Sequence, residues 1–146
     1  LIGIELMRSV FTILKGNVSV FGYQRKVTVV NENCIPFIKK LITGNRMKPD
    51  FINFDPPWGG PNYARIKRFM LTLQNTTGRN VPIYDIINDI FERKITRFIT
   101  FKAPFNFDMA LFGRFLKGSY TSYPIQDKPR SKKIVYYYVV VQAGVI

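Results

Sequence analysis

The amino-acid sequence predicts an α/β fold with a mostly parallel sheet, and two observations support this prediction. Short apolar segments typical of strands alternate along the chain with segments whose apolar residues recur at helical spacing. The chain has 146 residues, of which 47% are hydrophobic and 21% are charged, as expected for a packed domain rather than a disordered segment. We therefore expect residues 1–146 to form a single domain with its own hydrophobic core.

The amino-terminal half of the sequence contains three predicted strands separated by two predicted helices. The strands are short and apolar, at residues 1–4, 27–30 and 51–54. The first helix is predicted from an apolar stripe that ends at Gly22 and consists of Val10, Phe11, Leu14, Val18 and Phe21. The second helix is predicted at residues 35–42. Two prolines follow residue 54 and must end the third strand, because proline donates no hydrogen bond to a sheet.

The carboxyl-terminal half begins with a basic, less regular stretch at residues 65–79. A helix follows, with Asn80 as its N-cap, Pro82 in its first turn and isoleucines along one side. The remaining predicted elements are a strand at 96–101 ended by Pro104, a helix at 108–116 ended by Gly118, an edge strand at 120–125, a charged turn at 127–133 and a strand at 134–141, the most buried of all.

Histidine is absent from the sequence, and this absence excludes several classes of enzyme. The chain can supply no Ser-His-Asp triad, no Cys-His pair, no histidine general base and no histidine ligand for zinc. Cys34 is the only cysteine, so the chain forms no internal disulfide and no thiolate cluster. We expect no metal site, a packed thiol at Cys34, and a location in the nucleus or cytoplasm of a cell, with a viral protein also compatible.

The charge of the chain is strongly positive. It contains 22 lysines and arginines against 9 acidic residues, a formal net charge of +13. Such a charge attracts polyanions, of which nucleic acid is the first candidate and an anionic membrane surface the second, although solubility alone is a third explanation. No apolar run approaches the roughly 20 residues of a membrane-spanning helix, so we expect no insertion into a membrane.

The loop from Asp55 to Pro61 is the strongest candidate for a functional site, because ligands of open α/β sheets bind beyond the carboxyl ends of strands. Asp55 offers an acceptor for an amine, and Trp58 offers an aromatic face for a planar base. Gly59 and Gly60 permit close approach of the backbone. These features suit methyl transfer to an exocyclic amine, which depends on positioning rather than on a titrating base. The alternative interpretation is a proline-rich turn around a buried tryptophan.

The tetrapeptide Asp55-Pro56-Pro57-Trp58 resembles the signature of nucleic acid amino-methyltransferases, in which Asp, Asn or Ser precedes Pro-Pro and an aromatic residue. Its extension through Tyr63, Gly-Gly-Pro-Asn-Tyr, is more specific. With it, the sequence resembles the trimethylguanosine synthase family, which methylates the N2 amine of 7-methylguanosine RNA caps with S-adenosylmethionine. The resemblance includes Glu5 after the first strand, Phe21-Gly22, Asn33 and Lys132-Lys133-Ile134. It implies a Rossmann-like class I methyltransferase sheet with helices on both faces.

The resemblance also implies which residues bind the cofactor S-adenosylmethionine. Glu5 would accept hydrogen bonds from the ribose hydroxyls, and the side-chain carbonyl of Asn33 would accept a hydrogen bond from the adenine amine. Asp55 and Pro57 would complete the cofactor site beside the reacting methyl group. The family's glycine-rich loop and the strand before it would lie upstream of Leu1, so we expect an amino-terminally truncated domain that lacks the middle strand of its sheet.

Catalysis and substrate binding are assigned by the same resemblance, with capped RNA as the partner. Asp55 and the Pro56 carbonyl would hold the guanine amine, and Trp58 would stack on the cationic base. Tyr63 would contact the cap phosphates. At the family's Pro-Arg-Asn position this chain has Pro104-Phe105-Asn106, so Asn106 is retained and Lys102 or Arg65 would replace the missing arginine.

Two alternatives share part of this evidence. An N6-adenine methyltransferase acting on DNA or RNA has the tetrapeptide, but usually not the Gly-Gly-Pro-x-Tyr extension. A non-catalytic module that binds caps or RNA could retain Trp58 without a cofactor loop. The sequence leaves the oligomeric state open.

Overall fold

A computed structural model describes residues 1–43, 48–128 and 132–144. The predicted charged turn at 127–133 is therefore only partly within the described residues. A short 3-10 helix covers Pro61–Arg65. The other elements, in chain order, are β1 (Ile2–Glu5), α1 (Arg8–Val20), β2 (Thr28–Asn31), α2 (Cys34–Thr43), β3 (Phe51–Phe54), β4 (Thr72–Gln74), β5 (Asn80–Pro82), α3 (Ile83–Glu92), β6 (Phe98–Pro104), α4 (Met109–Phe115), β7 (Gly118–Gln126) and β8 (Ile134–Ala143).

The strands form three sheets, and the α/β class is confirmed. β1 and β2 are a parallel pair, β4 and β5 are an antiparallel pair, and the largest sheet has the order β3-β6-β8-β7. In that sheet β3 and β6 are parallel, whereas β8 is antiparallel to both of its neighbours. The expectation of a mostly parallel sheet is therefore wrong. Only seven residues separate β7 from β8, too few for the crossover that joins parallel strands.

The β1–β2 pair is separate from the four-stranded sheet. Within the described ranges, no strand joins β1 to β3. Helix α1 packs on the β1–β2 pair, with Leu14 next to Gly3, and it has no buried residue. The apolar side chains of Leu1, Val20 and Phe21 are largely exposed in this part of the molecule.

The hydrophobic core lies on one face of the four-stranded sheet, under α3 and α4. Isoleucines at four helical positions of α3 are buried, as the sequence periodicity predicts. Ile38 of α2 belongs to the same core. An aromatic cluster of Phe101, Phe107 and Phe112 has ring centroids 5.4–5.8 Å apart, a favourable separation for edge-to-face contacts.

The opposite face of the four-stranded sheet is not covered by the described helices, and Phe51, Phe98 and Tyr123 are exposed there. The prediction that β8 is the most buried strand is also wrong, because β6 has more buried residues. The first residues of β8 pair with the exposed end of β7, whereas every second residue of β6 lies in the core.

The start of α3 differs from the prediction. Asn80 pairs with Gln74 in the β4–β5 hairpin and is not an N-cap. Pro82 occupies the cap position without a side-chain hydrogen bond. The hairpin turn is organised by Asn75, whose Oδ1 accepts from the backbone N–H groups of Thr77 and Arg79. The less regular stretch at 65–79 therefore contains a strand, β4, that forms by pairing with β5.

We expect Gly118→Ala to destabilise the fold by about 1–3 kcal/mol, a typical cost of overpacking. A Cβ at Gly118 would lie 2.6 Å from the backbone oxygen of Gln142 and 3.3 Å from Phe91 Cε2, so the edge strand β7 would have to move. Urea unfolding measures the change. The matched control is Gly16→Ala, since a Cβ there meets nothing within 4 Å. In a helix interior this control should stabilise by about 0.5–1 kcal/mol. Equal unfolding midpoints for the two variants would contradict the prediction.

Candidate functional site

Asp55 lies at the carboxyl edge of the four-stranded sheet. Strands β3 and β6 are parallel, with Phe54 opposite Phe101, so Asp55, directly after β3, lies beside Lys102 of β6. Their side chains form an ion pair, with 3.3 Å between Lys102 Nζ and Asp55 Oδ2. Within the described part of the chain, Asp55 Oδ1 has no hydrogen-bond donor. One carboxylate oxygen is thus held by a lysine, and the other is available for a ligand.

The loop after Asp55 has a fixed and unusual backbone. Pro56 is buried and Pro57 is exposed, so the first proline packs against the protein and the second faces solvent. Gly59 and Gly60 have φ angles of +78° and +76°, a region that side chains rarely adopt. The two glycines let the chain reverse and enter the 3-10 helix, so the loop presents its neighbouring side chains at the edge of the sheet.

Trp58 is half-buried, between the two interpretations that the sequence allowed. Its ring lies edge-on to Tyr63 at 5.2 Å between centroids, and Tyr136 is 6.5 Å away. Part of the indole packs against the hydrophobic core. The indole Nε1 is buried and has no acceptor among the described residues. A buried donor without an acceptor is costly, so this N–H is a candidate partner for a bound ligand.

Asn106 holds the loop that contains Tyr63. Its Nδ2 donates to the backbone oxygens of Tyr63 at 2.7 Å and Ile66 at 2.6 Å. Its Oδ1 is buried and has no partner in the described ranges. Asn106, expected to bind substrate, thus acts on the position of Tyr63, and only its carbonyl oxygen is left for a ligand. The Tyr63 ring also packs against Phe69 and Phe105, with 6.2 and 6.3 Å between ring centroids.

The two candidate replacements for the missing arginine have different surroundings. Lys102 is engaged by Asp55 and lies 5.9 Å from the centroid of the Tyr136 ring. Arg65 is exposed at the end of the 3-10 helix and has no ion-pair partner among the described residues. Arg65 is therefore the more available of the two for an anionic ligand.

Glu5 and Asn33 lie at the carboxyl ends of two adjacent parallel strands, since Glu5 is opposite Asn31 in the β1–β2 pair. Glu5 Oε1 accepts from the backbone N–H of Met7 at 2.7 Å. Asn33 caps α2, because its Oδ1 accepts from Ile35 N at 3.0 Å. Its Nδ2 donates to the backbone oxygen of Gln74 at 2.8 Å.

These two residues fit the cofactor that the resemblance implies, to different extents. Glu5 keeps its second oxygen, Oε2, without a donor in the described part of the chain, and a carboxylate at a strand end is suited to ribose hydroxyls. The Asn33 carbonyl oxygen is engaged by the helix and retains one lone pair for an adenine amine. The two available hydrogen-bond acceptors therefore suit a nucleoside, with Glu5 as the stronger contact.

Tyr136 and Tyr138 are site neighbours that the sequence pattern did not reveal. Tyr136 lies near both Trp58 and Lys102. The Tyr138 hydroxyl lies on the same sheet face, 3.2 Å from Thr100 Oγ1 and 3.3 Å from Asn53 Oδ1. Tyr137 points to the core instead. The available signal was the period-two alternation of a strand, which puts every second tyrosine on the site face.

Arg68 and Asp108 form a second polar feature, close in sequence to the loop. Arg68 Nε lies 2.6 Å from Asp108 Oδ2, and Arg68 Nη2 lies 3.1 Å from Oδ1. Asp108 also caps α4 by accepting from Leu111 N at 3.0 Å. The hydrogen bond from Arg68 holds the pKa of Asp108 below its ordinary value, and the carboxylate in turn raises the pKa of Arg68. The carboxylate is thus kept ionised by its partners.

Three further findings in the described ranges concern metals, membranes and the thiol. These ranges contain no group of three acidic or cysteine side chains placed to hold a metal ion. They also contain no helix with the length and apolarity needed to cross a membrane. Burial raises the pKa of the Cys34 thiol, which disfavours the reactive thiolate form.

Comparisons with known proteins identify the family and the fold of the chain. A family model described as RNA cap guanine-N2 methyltransferase matches residues 1–115. An uncharacterised protein, L320 of Acanthamoeba polyphaga mimivirus, is 27% identical over 118 residues, covering 81% of this chain and 42% of that protein.

Solved methyltransferase structures share the fold. The METTL16 MTase domain has a TM-score of 0.61 at 16% identity, covering 97% of this chain and 49% of that one. The human methyltransferase 10 domain containing protein has a TM-score of 0.64 at 15% identity, with 97% and 60% covered. A SAM dependent methyltransferase from Agrobacterium tumefaciens has a TM-score of 0.61 at 13% identity, with 98% and 49% covered. The chain spans about half the length of these proteins.

Proposed function

The chain belongs to the RNA cap guanine-N2 methyltransferase family, and we therefore propose that it transfers a methyl group from S-adenosylmethionine to the N2 amine of a 7-methylguanosine RNA cap. One observation carries the proposal. A loop at the carboxyl edge of the sheet holds an available carboxylate oxygen of Asp55 three residues from the half-buried indole of Trp58. This pairing suits a planar base that bears an exocyclic amine.

The Asp55 carboxylate would orient the amine. An exocyclic amine is a weak nucleophile, because its lone pair is delocalised into the ring. Asp55 Oδ1 and the carbonyl oxygen of Pro56 would accept hydrogen bonds from its two N–H groups and direct the lone pair away from the loop. After methyl transfer, the nitrogen would release one of these protons to solvent. Lys102 keeps Oδ2 engaged, which fixes the carboxylate in one orientation. The contribution is positioning and preorganised charge, in a site that has no histidine.

Trp58 would bind the base, with Tyr63 holding the indole edge-on. A cationic 7-methylguanine over an indole gains about 0.5–2 kcal/mol from cation–π attraction. The phosphates of the cap would then meet Arg65, beyond Tyr63, with Lys102 beside Asp55.

Glu5, Asn33 and Pro57 would hold the cofactor, together with Asp55. Bound S-adenosylmethionine supplies an electrophilic methyl carbon on a sulfonium. Glu5 Oε2 would bind its ribose, and the Asn33 carbonyl its adenine, at the carboxyl ends of β1 and β2. The partner that carries the accepting base would be capped RNA, whose negative charge matches the excess of 22 basic over 9 acidic residues.

A substrate panel tests this function on the full-length protein. Methyl transfer from labelled S-adenosylmethionine would be measured with capped RNA, the same RNA without a cap, and adenine-containing DNA. We expect transfer to the capped RNA only. Transfer to adenine would instead support an N6-adenine methyltransferase, the alternative that shares the Asp-Pro-Pro-Trp tetrapeptide. Tight binding of capped RNA without transfer to any substrate would identify a non-catalytic binding module.

A further inference from the structure

A cleft beside the Arg68–Asp108 ion pair lies outside the loop that holds Trp58. It has a volume of about 420 Å³ and is lined by Arg68, Asp108, Ala110, Leu111 and Arg114. Asp108 is buried at its base, whereas the Arg68 side chain is 71% exposed. The cleft therefore combines one buried acid with two accessible arginines.

Asp108 fixes the guanidinium of Arg68 in one orientation. Two nitrogens of Arg68 donate to the two carboxylate oxygens, and the same carboxylate is tied to α4 through Leu111 N. A guanidinium has five N–H donors in a planar fork. The contacts with Asp108 use two of them, so three donors remain for a ligand. A preorganised arginine loses less conformational entropy on binding than a free one.

The charge of the cleft selects an anion. The carboxylate of Asp108 is already matched by Arg68, and Arg114 is exposed with no ion-pair partner among the described residues. Two arginines against one acid leave a net charge of +1 in the lining. This charge and the remaining N–H donors suit a single phosphodiester, which has one negative charge and two acceptor oxygens.

The cleft is connected rigidly to the proposed cap site. Asn106 fastens the backbone of Tyr63 and Ile66, and Phe69 N donates to Asn106 O at 2.9 Å. Asp108 N in turn donates to Phe69 O at 2.8 Å. Arg68 follows Tyr63 by five residues, so the two lie at most about 18 Å apart. An RNA strand that leaves a base on Trp58 can reach the cleft within a few nucleotides.

We propose that the cleft between Arg68 and Arg114 binds a backbone phosphate of the capped RNA, a few nucleotides downstream of the cap. The proposal rests on the proposed cap methylation, because the position of the cap fixes where the strand begins. It assigns Asp108 as a positioning residue, which acts through Arg68, and Arg114 as a direct phosphate contact.

Arg114→Glu in the full-length protein tests this site. Dissociation constants would be measured for a capped RNA of about 15 nucleotides and for a cap analogue without a downstream nucleotide. We expect the affinity for the long RNA to fall roughly three- to tenfold, with the cap analogue unaffected. The logarithm of the association constant falls as the logarithm of the salt concentration rises. The magnitude of this slope should decrease by about 0.7 for each phosphate of a single strand that the protein no longer neutralises.

Arg25→Glu is the matched control. It makes the same change of charge at an exposed position before β2. This position is at the amino end of the β1–β2 pair, whereas Glu5 is at the carboxyl end. An equal loss in both variants would overturn the proposal, since the effect would then come from overall charge. Loss of cap-analogue binding by Arg114→Glu would also overturn it. A failure of cap recognition gives a different result: capped and uncapped RNA of equal length would bind equally in the wild-type protein.

Discussion

Trp58→Ala in the full-length protein is expected to lower kcat/KM for cap methylation about 100-fold or more. Stacking of a base on an aromatic side chain is worth about 1–3 kcal/mol, and cation–π attraction adds about 0.5–2 kcal/mol. A combined loss near 3 kcal/mol corresponds to roughly two orders of magnitude. Methyl transfer to capped RNA under subsaturating conditions measures the loss, and calorimetry of S-adenosylmethionine should show nearly unchanged cofactor binding.

The control for this variant must separate stacking from packing, because Trp58 also contacts the core and Tyr63. Trp58→Phe keeps an aromatic face and most of the packing, so its activity should stay within about tenfold of wild type. Thermal unfolding of both variants reports whether the loop remains folded. Wild-type activity in a folded Trp58→Ala protein would refute the assignment of Trp58 to the base.

Asp55→Ala is expected to lower kcat about 10²- to 10³-fold, the usual effect of removing one preorganised electrostatic contact to the reacting group. The KM for capped RNA should change little, since Trp58 and the basic residues still bind the cap. Single-turnover methylation at saturating RNA measures the chemical step directly. Asp55→Asn should be less damaging, because its amide carbonyl still accepts one hydrogen bond from the amine.

The ion pair with Lys102 offers a control for Asp55. Both side chains are substantially exposed, 41% for Lys102 and 61% for Asp55, so the pair contributes at most about 1 kcal/mol to stability. Lys102→Met breaks the same pair but retains the carboxylate, and it should lower kcat less than tenfold. Equal losses for Lys102→Met and Asp55→Ala would show that the ion pair, rather than the carboxylate, supports catalysis.

Elements with a strong local pattern were predicted well. The strand predicted at 51–54 has the same bounds as β3, because Pro56 and Pro57 prevent the strand from continuing beyond the loop. The isoleucine stripe predicted α3. The predicted helix that begins at Asp108 corresponds to α4, and the Asp108 side chain caps it. Gly59 and Gly60 have the positive φ angles that favour glycine.

Elements without a strong local pattern were missed. The β4–β5 hairpin has strands of three residues, too short to show a period. The antiparallel placement of β8 was not visible either, since an apolar strand carries no mark of its direction. In the candidate site, the role of Asn106 as a clamp on the Tyr63 loop required knowledge of a contact across 43 residues.

The α/β class, the family resemblance and the acidic diprolyl loop could be predicted from the sequence alone, because each depends on adjacent residues or on a short repeat of apolar positions. The side chains that surround that loop are known only from the folded chain. Folding brought Tyr136 of β8 next to Trp58 and Lys102, and it joined Arg68 to Asp108 beside Arg114. The physical reason is that strand pairing and core burial fix these positions together, and no local pattern records contacts between segments so far apart in the chain.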